Sequence, residues 1–409
     1  MMTAKYYNVN KNNTKLEVFM ADPVNPFNPY FPAFSRFFAN RAREQAFFRQ
    51  GLAQGLHPLG PGPWNVALLG PWGIGKTSLL RRFAEIVSQF DPPALAVTLT
   101  VTSAMTLPRL THELMIRIHE EISTQKNWPE RLREELLHWS PTVSVGPVHL
   151  TRHSSKESEF AEGDLYRELR RLWHEYLAGH ISGLVVLLDD AHQLLVKDPN
   201  ALLSLRGTFQ DLQGSGARYP LVITGPDGLF EAVRDISEPI TRFFERMRLG
   251  PFSLADSQAA IQGPLRSIDS PLTVNEDAIE RLWQLTEGHP FFLTFAMRDI
   301  VQEATTTNQT LIKLEEVEAA WPSIATHLAA ERFAVDWQSA TEAEREVLRA
   351  IARDTQNMPI TQTVGRSGTA LLVRLVKKGL VLRSKRGEYR LYHPLFKDYI
   401  FGESNDHHQ

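Results

Sequence analysis

Gly70-Pro71-Trp72-Gly73-Ile74-Gly75-Lys76-Thr77 is the part of this chain whose residue types and spacing carry the most chemistry. The spacing is G-x-x-x-x-G-K-[ST]. An apolar run, Val66 to Leu69, precedes it, and Ser78, Leu79, Leu80, Arg81 and Arg82 open an amphipathic segment after it. Strand before and helix after is the context in which this spacing makes a phosphate loop. The glycines let backbone N–H groups turn inward and form an anion-binding nest at a helix N-terminus. Lys76 then reaches the β- and γ-phosphates of a nucleotide, and Thr77 places its hydroxyl on Mg²⁺. ATP and Mg²⁺ are the expected cofactors, with Gly70, Pro71, Trp72, Gly73, Ile74, Gly75, Lys76, Thr77 and Ser78 as binding residues.

Residues 184–190 read LVVLLDD. An apolar run ending in acids predicts a central parallel strand, buried on both faces. Asp189 ends that strand at the carboxyl edge, where α/β sheets bind ligands. It is expected to hold Mg²⁺ through water, opposite Thr77, while Asp190 orients or polarises the attacking water. The competing reading makes both aspartates caps of the following helix, AHQLL.

Composition sets outer limits. The 409 residues suffice for two or three domains, and 43% hydrophobic with 22% charged residues describes a protein with an ordinary core. A net charge of −3 exerts no global pull toward nucleic acid. The absence of cysteine excludes disulfides, thiolate zinc sites and cysteine nucleophiles. Of the 14 histidines, His149 with His153 and His407 with His408 lie close in sequence, but none has a full set of acidic or histidine partners at ligand spacing, so a zinc site is not expected. No stretch approaches the ~20 apolar residues of a membrane span, and the N-terminus lacks an apolar signal core, so a cytoplasmic protein is expected.

The elements that position these residues alternate. Asn40 to Gly55 reads as a helix, Ala94 to Val101 as a strand, Leu107 to Ile122 as an amphipathic helix, and residues 142–151 as a small hairpin around Gly146-Pro147. Asp164 to Leu177 is a charged helix, and Tyr219 to Thr224 another buried strand. The fold class expected is α/β: a P-loop NTPase parallel sheet flanked by helices, then an all-helical lid and a C-terminal winged-helix domain. The boundaries drawn are 1–38 for an aromatic-anchored arm that packs on the body or on a neighbouring subunit, 39–251 for the ATPase core, 252–335 for the lid and 336–409 for the winged helix. In the last, Thr341 and Glu344 form a capping box, and two strands meet at Lys385-Arg386-Gly387.

Together these residues resemble the STAND branch of the AAA+-like P-loop ATPases over roughly 39–400. Asn40-Arg41-Ala42-Arg43-Glu44 resembles the helix start that packs near adenine, which implies a nucleotide contact for Arg41. The Asp189-Asp190 pair resembles the double aspartate of this branch, where many AAA+ machines have Asp-Glu. The resemblance implies that Thr224 is the polar sensor on the fourth strand. It implies that Arg246 lies near the γ-phosphate of the same or a neighbouring subunit, with Arg242 and Arg248 competing for that role. Gly288-His289-Pro290 resembles the Gly-x-Pro element of the lid, with Pro290 packing by the nucleotide. The phosphate loop also looks like that of KAP-type NTPases, but those carry inserted membrane segments and lack this lid pattern.

From Arg366 to Lys397 there are nine basic residues and one acid, Glu388. Arg374, Lys377 and Lys378, with Lys385 and Arg386 at the wing tip, have the makings of a phosphate-backbone patch, and Ser367 and Thr369 lie within it. Against that, the apolar LYHPLFKDYI segment reads as a docking segment. Two functions follow. One is a slowly hydrolysing, nucleotide-gated switch that forms a homo-oligomer in the ATP state and signals to a protein partner. The other is a DNA-binding ATPase resembling replication initiators or transposition regulators.

Overall fold

Five segments, four of them apolar and the edge one charged, pair into one parallel sheet in a computed structural model that describes residues 24–33, 35–124, 142–143, 146–147, 163–230, 240–353, 360–385 and 388–406. The strands are β1 (Val66–Leu69), β2 (Ala94–Thr100), β3 (Gly183–Asp189), β4 (Leu221–Gly225) and β5 (Glu245–Arg248), in the order β2-β3-β4-β1-β5. The phosphate-loop strand β1 is thus separated from the acidic strand β3 by β4, with Leu68 opposite Thr224 and Leu188 opposite Ile223. That register brings the carboxyl ends of all three to one edge.

Strand alternation sorts the core. Ala67, Leu69, Leu184, Val186 and Leu188 face one cluster with the helices Leu107–Thr124, Asp164–Leu172 and Ala201–Gly214. Val66, Leu68, Val185 and Leu187 face the other, with α1 (Ala42–Leu56) and α2 (Lys76–Val87). All seven residues of β3 are buried, as a strand covered on both faces requires. The helix expected to run to Leu177 is α-helical to Leu172 and continues as one π-helical turn, Trp173–Leu177. Of the predicted hairpin, Thr142–Val143 pairs antiparallel with Gly146–Pro147, and residues 144–145 and 148–151 lie outside the described residues.

A third cluster is built from the elements that follow the sheet, with Phe27 from the arm. The lid helices α3 (Leu254–Ser267), α4 (Glu276–Thr286), α5 (Pro290–Thr306) and α6 (Leu314–Leu328) share one buried core with α7 (Glu342–Arg353), α8 (Ile360–Lys377), the antiparallel strands β6 (Val381–Lys385) and β7 (Glu388–Leu391), and α9 (Pro394–Asp406). One departure from an all-helical lid is the parallel pairing of Thr273–Val274 with Leu311–Ile312. The capping box at α7 is present: the Thr341 N–H donates to Glu344 Oε2 at 2.9 Å and the Glu344 N–H to Thr341 Oγ1 at 3.3 Å.

The docking segment docks on its own chain. Phe396 and Ile400 are buried in the lid cluster. The Tyr392 hydroxyl donates to Asp336 Oδ2 at 2.7 Å, and His393 Nε2 donates to the Thr286 carbonyl at 2.9 Å. Of the arm, residues 24–33 also pack on the body. Phe27 enters the lid core, Asn25 Nδ2 donates to the Arg298 carbonyl at 2.8 Å, and the Ala33 N–H donates to Ser78 Oγ at 3.1 Å.

Candidate functional site

The loop from Gly70 to Gly75 turns the chain from β1 into α2. Gly73 and Gly75 have φ of 73° and 94°, values that a side chain tolerates poorly. No side chain caps α2, so its first N–H groups remain for an anion. Lys76 opens that helix, and its Nζ donates to the Gly70 and Pro71 carbonyls at 2.9 and 2.8 Å. Burial holds the Lys76 ammonium below its usual pKa, and the carboxylates of Asp190, Asp189 and Asp227 oppose that shift. A desolvated cation among carboxylates, beside uncapped N–H groups, suits a polyphosphate.

Thr224 ties the acids to the sheet. Its hydroxyl is fully buried, donates to Asp189 Oδ1 at 2.6 Å and accepts the Asp190 N–H at 2.7 Å. Both bonds are spent within the acid pair, which fixes Asp189 and the turn that follows. Asp190 has φ of 54°, a left-handed conformation that aspartate accepts better than most residues. It precedes a 3₁₀ turn, Ala191–Val196, without a side-chain capping bond, so the capping alternative for Asp190 fails. Burial, and then the neighbouring Asp189, raise the Asp190 pKa, while His192 and Lys76 act against the rise.

The Mg²⁺ expectation fits this donor set. Among the described residues no group of three or more His, Asp or Glu side chains could hold a metal alone. Mg²⁺ does not need one, since it takes one or two protein oxygens together with phosphate and water. Asp189, with one oxygen held by Thr224, and the half-buried Thr77 at the second position of α2 supply such oxygens.

Arg41 is buried with φ of 57°, and its Nη2 donates to the Ile74 and Gly250 carbonyls at 3.1 and 2.7 Å. It therefore ties the phosphate loop at Ile74 to the segment after β5 at Gly250. The lid holds the loop's tip. His289 Nε2 donates to the Trp72 carbonyl at 3.1 Å, the Phe291 ring meets the Trp72 ring edge-on at 4.5 Å, and the Arg332 guanidinium lies 3.7 Å from the Trp72 ring centre. Pro290 is the first residue of α5, directly after His289. Arg246 is exposed on the edge strand β5, opposite Ala67, with its guanidinium 4.9 Å from the Phe230 ring. Arg248, opposite Leu69, stands nearer the carboxyl edge, and Arg242 is exposed on the short helix Ile240–Phe243.

Three residues were not foreseen. Asp227, on the turn after β4, acts on Lys76, and a signal existed in its place beyond a strand's carboxyl end. His192 lies with Nδ1 3.9 Å from Asp190 Oδ1, and Arg332 comes from a helix with no motif.

Comparison with known proteins adds to this geometry. Residues 40–223 match the family model described as AAA ATPase domain. The matched stretch runs from just before α1 to within β4 and holds the phosphate loop and the Asp189-Asp190 pair. Residues 330–400 match a second model, a domain of unknown function (DUF8462). No curated protein matches the chain. Among solved structures, the chain resembles the ORC2 protein of Aeropyrum pernix, in ADPNP–ADP complexes, at a TM-score of 0.58 and 14% identity, covering 90% of this chain and 98% of that one. It resembles the Walker-type ATPase PABY2304 of Pyrococcus abyssi at 0.56 and 17%, covering 89% and 96%. At these identities the likeness is one of fold, and the fold is that of a P-loop NTPase. Among the described residues, no helix is long and apolar enough to cross a membrane.

Proposed function

We propose that this chain is a STAND-type, nucleotide-gated switch that binds Mg–ATP and hydrolyses it slowly. The observation that carries the reading is the lid's grip on the phosphate loop: His289, Phe291 and Arg332 all meet Trp72, two residues after the strand-end glycine. A nucleotide seated on that loop biases the lid, and the lid shares its core with the C-terminal region. Lys76 binds the β- and γ-phosphates; Thr77 and Asp189 would hold Mg²⁺, which would supply charge neutralisation there. Asp190 accepts a proton from water as its oxygen bonds to the γ-phosphorus and the bond to the bridging oxygen breaks, giving ADP and phosphate. Arg41 and Pro290 are assigned to the base side of the nucleotide. Thr224 positions Asp189 and Asp190, and Arg246 or Arg248 completes the site of a neighbouring subunit. Residues 336–409 form a winged helix.

A second reading, a DNA-acting ATPase, is favoured by exposed Arg374, Lys377, Arg383 and Arg390 and by likeness to an ORC2 fold. Lys378 is not part of that patch, since its Nζ is paired with Glu344 at 2.6 Å. Arg386 lies outside the described residues. The apolar face of LYHPLFKDYI, which favoured a protein partner, is occupied by the chain's own lid. Mass determination with ATP and with ADP tests the switch. Larger species with ATP, and hydrolysis restored on mixing Arg246→Ala with Asp190→Asn, support it. DNA-stimulated, salt-sensitive hydrolysis by a monomer supports the second reading instead.

A further inference from the structure

Peptide geometry at the loop tip gives His289 a role beyond packing. The Trp72–Gly73 peptide is trans, so its carbonyl and the Gly73 N–H point in opposite directions. His289 approaches the carbonyl from the lid, with Nε2 at 3.1 Å. A carbonyl oxygen only accepts, so Nε2 carries the proton. His289 is buried, and its Nδ1 has no hydrogen-bond partner among the described residues, so the Trp72 carbonyl is the imidazole's one hydrogen-bonding commitment. The seat is close: a Cβ on Gly73 would lie 2.9 Å from His289 Cε1 and 2.9 Å from Phe291 Cβ.

We infer that His289 is a positioning residue for phosphate: by holding the Trp72 carbonyl toward the lid, it turns the Gly73 N–H away from the lid, into the phosphate loop. The inference rests on the reading of this loop as a nucleotide phosphate site. It adds that the loop is set by a lid residue, so that lid closure and phosphate affinity are one coupled equilibrium. A lid displaced from the loop frees the peptide to rotate and withdraws a donor from the ligand. Burial, with the nearby Lys76 and Arg332 charges, keeps the ring neutral. The bond to Trp72 is therefore constant across the neutral pH range.

The test is calorimetric titration of ATP, ADP and adenosine into wild type, His289→Ala, His289→Gln, His289→Asn and Lys76→Ala. Gln carries an N–H at the reach of Nε2, whereas Asn carries one only at the reach of Nδ1. Expected is a loss of about tenfold in ATP and ADP affinity for His289→Ala and His289→Asn, near 1.4 kcal/mol, with adenosine affinity unchanged and His289→Gln close to wild type. Should His289→Ala not fold, the Gln and Asn variants carry the same contrast. Wild-type ATP affinity in His289→Asn overturns the inference, as does an equal loss for adenosine. Unchanged ATP affinity in Lys76→Ala overturns the phosphate-site reading itself, a result distinct from either.

Discussion

Acid should loosen this protein at the junction of lid and phosphate loop, where two buried histidines are held neutral. Burial first, and then the His393 charge, push the pKa of His289 down from 6.5 to about 3. Burial pushes His393 down from 6.5 to about 4, although its bond to the Thr286 carbonyl works the other way. Both rings are almost fully enclosed, at 5% and 2% exposure, so little solvent screens the effect. With folded values below unfolded ones, the unfolded chain takes up protons first. The stability is whole above about pH 6.5 and is lost as pH falls toward the folded values. At pH 5 each histidine then costs about 2 kcal/mol relative to pH 8, about 4 kcal/mol for the pair, out of a typical stability of 5–15 kcal/mol. Raised carboxylates such as Asp336 and Asp190 titrate with the opposite sign, so the effect is read as a difference between proteins. Urea unfolding at pH 8, 6.5 and 5, on wild type and on a His289→Gln, His393→Gln double variant, isolates the pair. The wild type should lose about 4 kcal/mol more than the double variant between pH 8 and 5. Equal losses in the two proteins would refute the reasoning.

Other perturbations act at single points of the same site. Gly73→Ala forces a side chain into φ of 73° and against His289 and Phe291. It should cost about 2–4 kcal/mol, summing left-handed strain and overpacking, and be read as a lowered thermal midpoint. Thr224→Val keeps the shape but strips Asp189 and the Asp190 N–H of their partner. It should cost about 1–3 kcal/mol in urea unfolding and slow hydrolysis. Asp190→Asn should retain ATP and turn over far more slowly in a phosphate-release assay, and a wild-type rate would remove Asp190 from the chemistry.

What the sequence made legible follows the physics of each signal. The sheet and the phosphate loop are local: a short apolar run, a glycine spacing and a helix start lie within 17 residues of one another, 64–80. β3 declared itself because a strand buried on both faces has no polar alternation, and its terminal acids mark the ligand edge. The lid's grip on Trp72 was not legible, because His289 and Arg332 reach it across more than 200 residues and no periodicity encodes a cation over a ring. The same holds for LYHPLFKDYI. Its apolar face was plain, but its partner, the chain's own lid core, is set by tertiary packing. The basic count in the C-terminal region likewise could not reveal that Lys378 is spent on Glu344, 34 residues away.

The central claim is that the loop from Gly70 to Thr77 binds nucleotide phosphate through Lys76. Titration calorimetry of Mg–ATP into wild type and Lys76→Ala, both shown folded by thermal melts, tests it most directly. Wild type should bind saturably and Lys76→Ala should lose roughly 100-fold, the worth of a desolvated, charge-assisted contact of about 3 kcal/mol. Equal ATP affinity in the two proteins, or no binding to wild type, would contradict it.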